Sequence, residues 1–152
     1  MKLLQKTKEV EIQGVKFIIG VIRAFEWNDI VTRSESAFPA LNKFIRKTPK
    51  EELDKMSPVE ISNRICEEMD PEEVAANNKQ VFKAHWDMIR FAVKGHWGFL
   101  DEDGAEIPFK LTVDGTVDPE LIDAYHATGL FHQLALEVKA FNTLREVYKK
   151  NS

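Results

Sequence analysis

The sequence predicts an α+β fold, mainly helical, with an N-terminal β-hairpin and a C-terminal helical hairpin. Three observations carry that prediction. The stretch "EVEIQGVKFIIGVI" alternates apolar and polar residues around Gln13-Gly14, which is the period of paired strands. Farther on, Thr48-Pro49, Ser57-Pro58, Asp70-Pro71 and Asp118-Pro119 each place a capping oxygen before a proline, the signature of a helix start. Apolar residues spaced by three and four then fill two long stretches, one after Pro71 and one after Gly129, as an amphipathic helix requires. At 152 residues and 43% hydrophobic, the chain suits a single domain spanning 1–152.

The elements follow in order. A hairpin is expected over 8–23, with Val10 and Ile12 on one face and Val15, Phe17, Ile19 and Val21 on another. Its second strand is apolar on both sides at Phe17, Ile18, Ile19, Val21 and Ile22, so helices should cover one of them. A helical body is expected over 26–95. Within it Trp27, Ile30, Val31, Ala37, Leu41, Phe44 and Ile45 recur at helical spacing, and Pro39 divides the run in two. The first three proline-marked starts also carry Glu51, Glu60 and Glu73, each placed to reach back to its cap amide, whereas the start at Asp118 has Leu121 there. Val74, Val81, Phe82, His85, Trp86, Ile89 and Val93 define a central helix that Gly95 should terminate. A turn motif occupies 96–110, and a helical pair over 118–149 closes the chain, with Leu134, Val138, Phe141, Leu144 and Tyr148 along its last stripe. A short strand near Phe99 or Ile107 can join the hairpin. No internal repeat or interdomain linker stands out.

Composition limits the functions open to such a chain. A formal net charge of -4 and a pI near 5.6 give no basic field to hold a polyanion, so nucleic acid is not the expected partner. No apolar run reaches the ~20 residues of a membrane span, and "MKLLQKTKEVEI" lacks a signal-peptide core. The expectation is a cytoplasmic protein. The lone Cys66 supports no disulfide framework and reads as a small buried hydrophobe.

Chemistry-bearing residues are sparse. His85 and His96 are separated by a helix end, and His126 and His132 match no zinc spacing. Asp101, Glu102 and Asp103 lack the ligand order of a calcium loop, since Gly104 comes too soon and Phe109 and Leu111 stand where oxygens should. Asp103-Gly104 is instead a turn pair. Ser34 and Ser36 are isolated hydroxyls, and Glu67-Glu68 and Glu72-Glu73 are placed as helix charges. With no nucleophile elbow, no Cys-His pair and no phosphate loop, neither an enzyme, a cofactor nor a metal is expected. Aromatic residues remain: Trp86, Trp97, Phe99 and Phe109 around the turn motif, with Phe131 and Phe141 on the last helix. Large rings are either core or interface anchors.

The order of features over residues 82–148 resembles the tail assembly chaperones of long-tailed bacteriophages. The matching pieces are the apolar helix "VFKAHWDMIRFAVKGHW", Gly98-Phe99 with "DEDG", then "IPF", "DPELIDAYHATG" and a final amphipathic helix. The resemblance covers a little under half of the chain, and residues 8–23 and 48–73 lie outside it. It implies a non-enzymatic protein of the infected bacterial cytoplasm that holds the tape-measure protein, recruits tail-tube protein, and self-associates. The group is too divergent for functional residues to be carried over, so Trp97, Phe99, Pro108 and Phe109 are expected only as a protein-binding or structural motif. The alternatives are a virion component such as a tail or neck subunit, or a small phage-encoded protein that docks onto or inhibits a larger one. An enzyme built on carboxylates that only folding brings together is a further rival.

Overall fold

Gln13 and Gly14, both with positive φ (49° and 83°), turn the chain back on itself through the two-residue connection that best fits strand twist. They join β1 (Thr7–Ile12) to β2 (Val15–Gly20). The structure, a computed structural model, describes residues 6–36, 39–68 and 70–151, and the side chains among them apart from 34–42 and 144–151. A third strand, β3 (Val93–Trp97), lies antiparallel beside β2, giving the sheet order β1-β2-β3. The fold is α+β, as the sequence predicts.

The register corrects the expected division of faces. Val10 is opposite Phe17 and Ile12 opposite Val15, and cross-strand partners share a face. Val10, Ile12, Val15, Phe17 and Ile19 therefore form one buried surface, because a two-residue turn keeps the alternation in step across it. Val21 lies beyond the strand. Thr7, Glu9, Glu11, Lys16 and Ile18 face the other way; of these only Ile18 is half-buried.

The helical body does not run to residue 95. Helix α1 (Ala24–Ser36) and helix α2 (Pro39–Lys47) replace the divided run, with Pro39 opening the second. Trp27, Ile30 and Phe44 are buried while Ile45 is exposed; the side chains of Ala37 and Leu41 fall outside the described residues. Then come α3 (Lys50–Lys55), α4 (Pro58–Glu68) and α5 (Pro71–Ala92). Helix α5 passes directly into β3 at Val93, and Gly95 is no terminator: it sits in the ladder opposite Ile18. β-branched Val93, opposite Ile19, gains more from the sheet than from another helical turn.

Two cap expectations also change. Pro49, with ψ 141°, precedes α3 instead of starting it, and no side chain caps that helix. Ser57 Oγ and Asp70 Oδ1 do accept from Glu60 N (3.2 Å) and Glu72 N (3.4 Å). Asp118 makes the shortest cap, 2.9 Å from Glu120 N, although Leu121 replaces the reciprocal Glu; Leu121 is buried. Cys66 is exposed, contrary to expectation, because the half-buried stripe of α4 runs through Ile61 and Ile65, one position away.

The chain divides into two compact units, one of Met1–Asn28 with His85–Ser152 and one of Asp29–Ala84. In the second, α2 lies against α4. In the first, α6 (Pro119–Ala127) packs on α7 (Phe131–Asn151), and α7 on β1. Leu134, Ala135 and Val138 of α7 are buried and so is Asn142, which continues the stripe with a polar group. Leu144 and Tyr148 carry side chains outside the described residues.

Asn142 explains itself through the end of β2. Its Oδ1 accepts from Ile22 N at 2.9 Å, and its Nδ2 donates to Val138 O at 2.9 Å and, at 3.5 Å, to Gly20 O. A buried amide that loses its acceptor bears the full desolvation penalty. Asn142→Ala should lower unfolding free energy by about 1–3 kcal/mol, read as an earlier urea midpoint with an unchanged slope.

Candidate functional site

The segment between β3 and α6 is built from one device used twice. In the first short hairpin Asp101 N donates to Ala105 O (2.8 Å), Gly104 N to Asp101 O (3.0 Å) and Ile107 N to Phe99 O (2.7 Å). In the second, Thr112 N donates to Thr116 O (2.7 Å), Gly115 N to Thr112 O (3.0 Å) and Asp118 N to Lys110 O (3.0 Å). Bridges at Leu100↔Glu106 and Leu111↔Val117 complete the match. Each is a three-residue loop whose last position is left-handed, with Gly104 at φ 81° and Gly115 at φ 79°. The repeat is visible as "LDEDG" and "LTVDG", eleven positions apart, and does not stand out in the sequence because only these few residues recur.

The acids of the first hairpin perform turn chemistry. Asp101 Oδ1 accepts from Asp103 N and Ala105 N, both at 2.9 Å, while the Thr112 and Thr116 hydroxyls meet at 2.9 Å in the second. Among the described residues no group of three or more His, Cys, Asp or Glu is placed to hold a metal ion. Glu106 reaches back to accept from Gly98 N at 2.8 and 3.1 Å. Gly98 has φ 77°, and a Cβ there would stand 3.2 Å from Gly14 O, so the tip of the β1-β2 hairpin rests against the chain at this point.

His96 fastens the segment to the core. Its Nε2 is 2.6 Å from Ile107 O and its Nδ1 2.6 Å from the Tyr125 hydroxyl. A carbonyl only accepts, so Nε2–H donates to Ile107; Nδ1 of the neutral ring then accepts from the Tyr125 O–H. The rings of Phe17, Phe99, Phe109 and Tyr125 surround the imidazole at centroid distances of 5.3–6.5 Å. Burial pushes the Tyr125 phenol well above its ordinary range, which keeps it a donor. Tyr125 is itself held by the end of α6, where Leu130 N donates to Tyr125 O and Gly129 N to His126 O, the paired bonds of a Schellman ending.

The four residues singled out from the sequence separate here. Phe99 is core, 3% exposed, with its ring 5.2 Å from Tyr125; it cannot anchor a partner in this conformation. Phe109 is half-buried on His96. Trp97 is 51% exposed, and Pro108 is exposed. The alternation of β3 explains the first split: His96 shares the core face with Phe17, so Trp97 must share the opposite face with Lys16. Sequence reasoning did not find the exposed Leu100, Leu111 and Val113, whose signal is an apolar residue inside a turn motif.

A second histidine cluster lies where α5 meets α7. The rings of His85 and His132 are 5.5 Å apart. Burial, then the charges of His132 and Lys139, lowers the His85 pKa. No family model matches the chain, and neither a curated protein nor a solved structure does so.

Phe99→Ala should cost about 3–5 kcal/mol of stability, whereas Trp97→Ala should stay within about 0.5 kcal/mol, both by denaturant titration. His85 makes a pH prediction. Its folded pKa lies below the ordinary 6.5, so between the two values the unfolded chain holds more protons. This contribution is complete above 6.5 and is lost as pH falls through the lowered value. Urea midpoints should drop on acidification, and His85→Gln should flatten that drop.

Proposed function

We propose that this chain is a non-enzymatic assembly chaperone of a long-tailed bacteriophage, acting in the host bacterial cytoplasm. It holds the tape-measure protein and brings tail-tube protein to it. The observation that carries this reading is the exposure of Trp97, Leu100, Leu111 and Val113 on and just after β3. Their backbone is held by the His96 bonds and two tight hairpins. Rigid backbone that displays apolar side chains is suited to binding, because little ordering remains to be done when a partner arrives.

The ordered features of residues 82–148 support the same reading. The helix, the Gly-aromatic turn with its Asp-Gly, the Pro-Phe pair and the closing helices resemble that chaperone group. Among the described residues no helix is long and apolar enough to cross a membrane.

Co-expression with the tape-measure protein of the same phage should yield a complex that survives purification in mild salt. Trp97→Ser combined with Val113→Asp should weaken that complex by about tenfold or more without moving the thermal midpoint. Recovery of this chain from purified particles in stoichiometric amounts, by mass spectrometry, would instead make it a virion subunit.

A further inference from the structure

The unit Asp29–Ala84 holds little apolar core. Among the described residues its only buried apolar side chains are those of Ile30, Phe44 and Ala84, and from 45 to 83 no described side chain is buried. Helices α3 and α4 contain no buried residue. The cause lies in the spacing of apolar residues. Helix α3 offers Leu53, with Met56 just beyond it; α4 offers Ile61 and Ile65, and the first half of α5 offers Val74 and Val81, all of them half-buried. One or two inward apolar residues per helix do not make a stripe wide enough to close over a core.

Asn77 adds a cost of its own. It stands between Val74 and Val81 on the same side of α5, and its Oδ1 is buried without a hydrogen-bond partner. Desolvation of that oxygen opposes the closed arrangement and is undone when water reaches it. The helices cannot make up the difference by themselves. Helices α2, α3 and α4 have 9, 6 and 11 residues, and helices shorter than ~12 residues are marginal alone in water. Helix α5 changes character at Ala84. Beyond it Met88, Ile89 and Ala92 are buried, and the helix runs directly into β3, which is laddered to β2.

We propose that residues 45–83 open as one unit from the native state while the three-stranded sheet, the second half of α5, α6 and α7 stay folded. Phe44 and Ala84 mark the ends of the opening segment, each being the buried residue next to it along the chain. None of the strands comes from the segment: the sheet is β1, β2 and β3, and the chain leaving β2 is held at Ile22 N by Asn142 of α7. Few buried contacts make an opening of low free energy, well below that of global unfolding. A ligand that binds the closed form holds the segment shut, and one that binds the opened chain draws it out. This equilibrium is therefore the point at which the conformation of the chain can be set from outside.

Native-state hydrogen exchange of the full chain, read by mass spectrometry, tests this. Amides of 50–80 should be protected at least about a hundredfold less than those of β2 and of the buried turns of α7. Asn77→Leu, which removes the unpaired oxygen and widens the apolar stripe, should slow exchange over 50–80 by about tenfold and leave the amides of β2 and β3 unchanged. Ile65→Asp should speed exchange over 50–80, again without touching β2 and β3. Trypsin should make its first internal cuts at Lys and Arg residues within 45–83, and the nicked pieces should stay together on gel filtration through the β2-β3 ladder. Equal protection of 50–80 and β2 would overturn the proposal. So would an Ile65→Asp variant that lowers protection by the same factor throughout the chain, an Asn77→Leu variant that exchanges like the wild type, or pieces that separate after the first cut.

Discussion

One imidazole fixes the geometry on which everything beyond β3 depends. His96 is buried, and it joins three separate parts of the chain: β3 through its own backbone, the first short hairpin through Ile107, and α6 through Tyr125. The Ile107 carbonyl can only accept and so sets the tautomer, and the two partners together set the ring orientation. A phenylalanine would fill the space but leave a carbonyl and a hydroxyl unpaired in a core of rings, at about 1–3 kcal/mol for each. The polar pair therefore specifies how the segment docks as well as helping to hold it there.

Alternation along β3 carries the effect of this anchor to the opposite face of the sheet. Because His96 points inward with Phe17, its neighbour Trp97 must point outward with Lys16. The bulge at Lys94 changes the step only above Gly95, leaving the row of Glu11, Lys16 and Trp97 intact. Asn142 secures the other end of the sheet by holding Ile22 N. A face pinned at both ends presents its side chains at little conformational cost. The Asp101 carboxylate, one of the three acids weighed as a calcium loop, accepts from two backbone amides of its own turn.

Much of the fold could be read from local signals, and the reasons for the exceptions are physical. The Gln13-Gly14 turn, the break at Pro39, the caps at Ser57, Asp70 and Asp118 and the Asp103-Gly104 turn are decided within a few residues of one another. Strand β3 was not legible, because Val93 continues the helical stripe of α5 and only a distant partner, Ile19, favours the extended form. The burial of Phe99 and the exposure of Trp97 depend on that same strand, so they were hidden with it. Asn142 and His96 read as ordinary polar residues until their partners, 120 and 29 residues away, are in place.

The site of the proton on the His96 ring in the native protein is the most direct test of this anchor. Long-range nitrogen–proton correlation spectra of the histidine rings should show Nε2 protonated and Nδ1 bare, with an Nε2 proton that exchanges slowly and couples through the hydrogen bond to the Ile107 carbonyl. A ring protonated on Nδ1 instead, or an Nε2 proton exchanging at the rate of an exposed histidine, would contradict the anchor and with it the fixed display of Trp97.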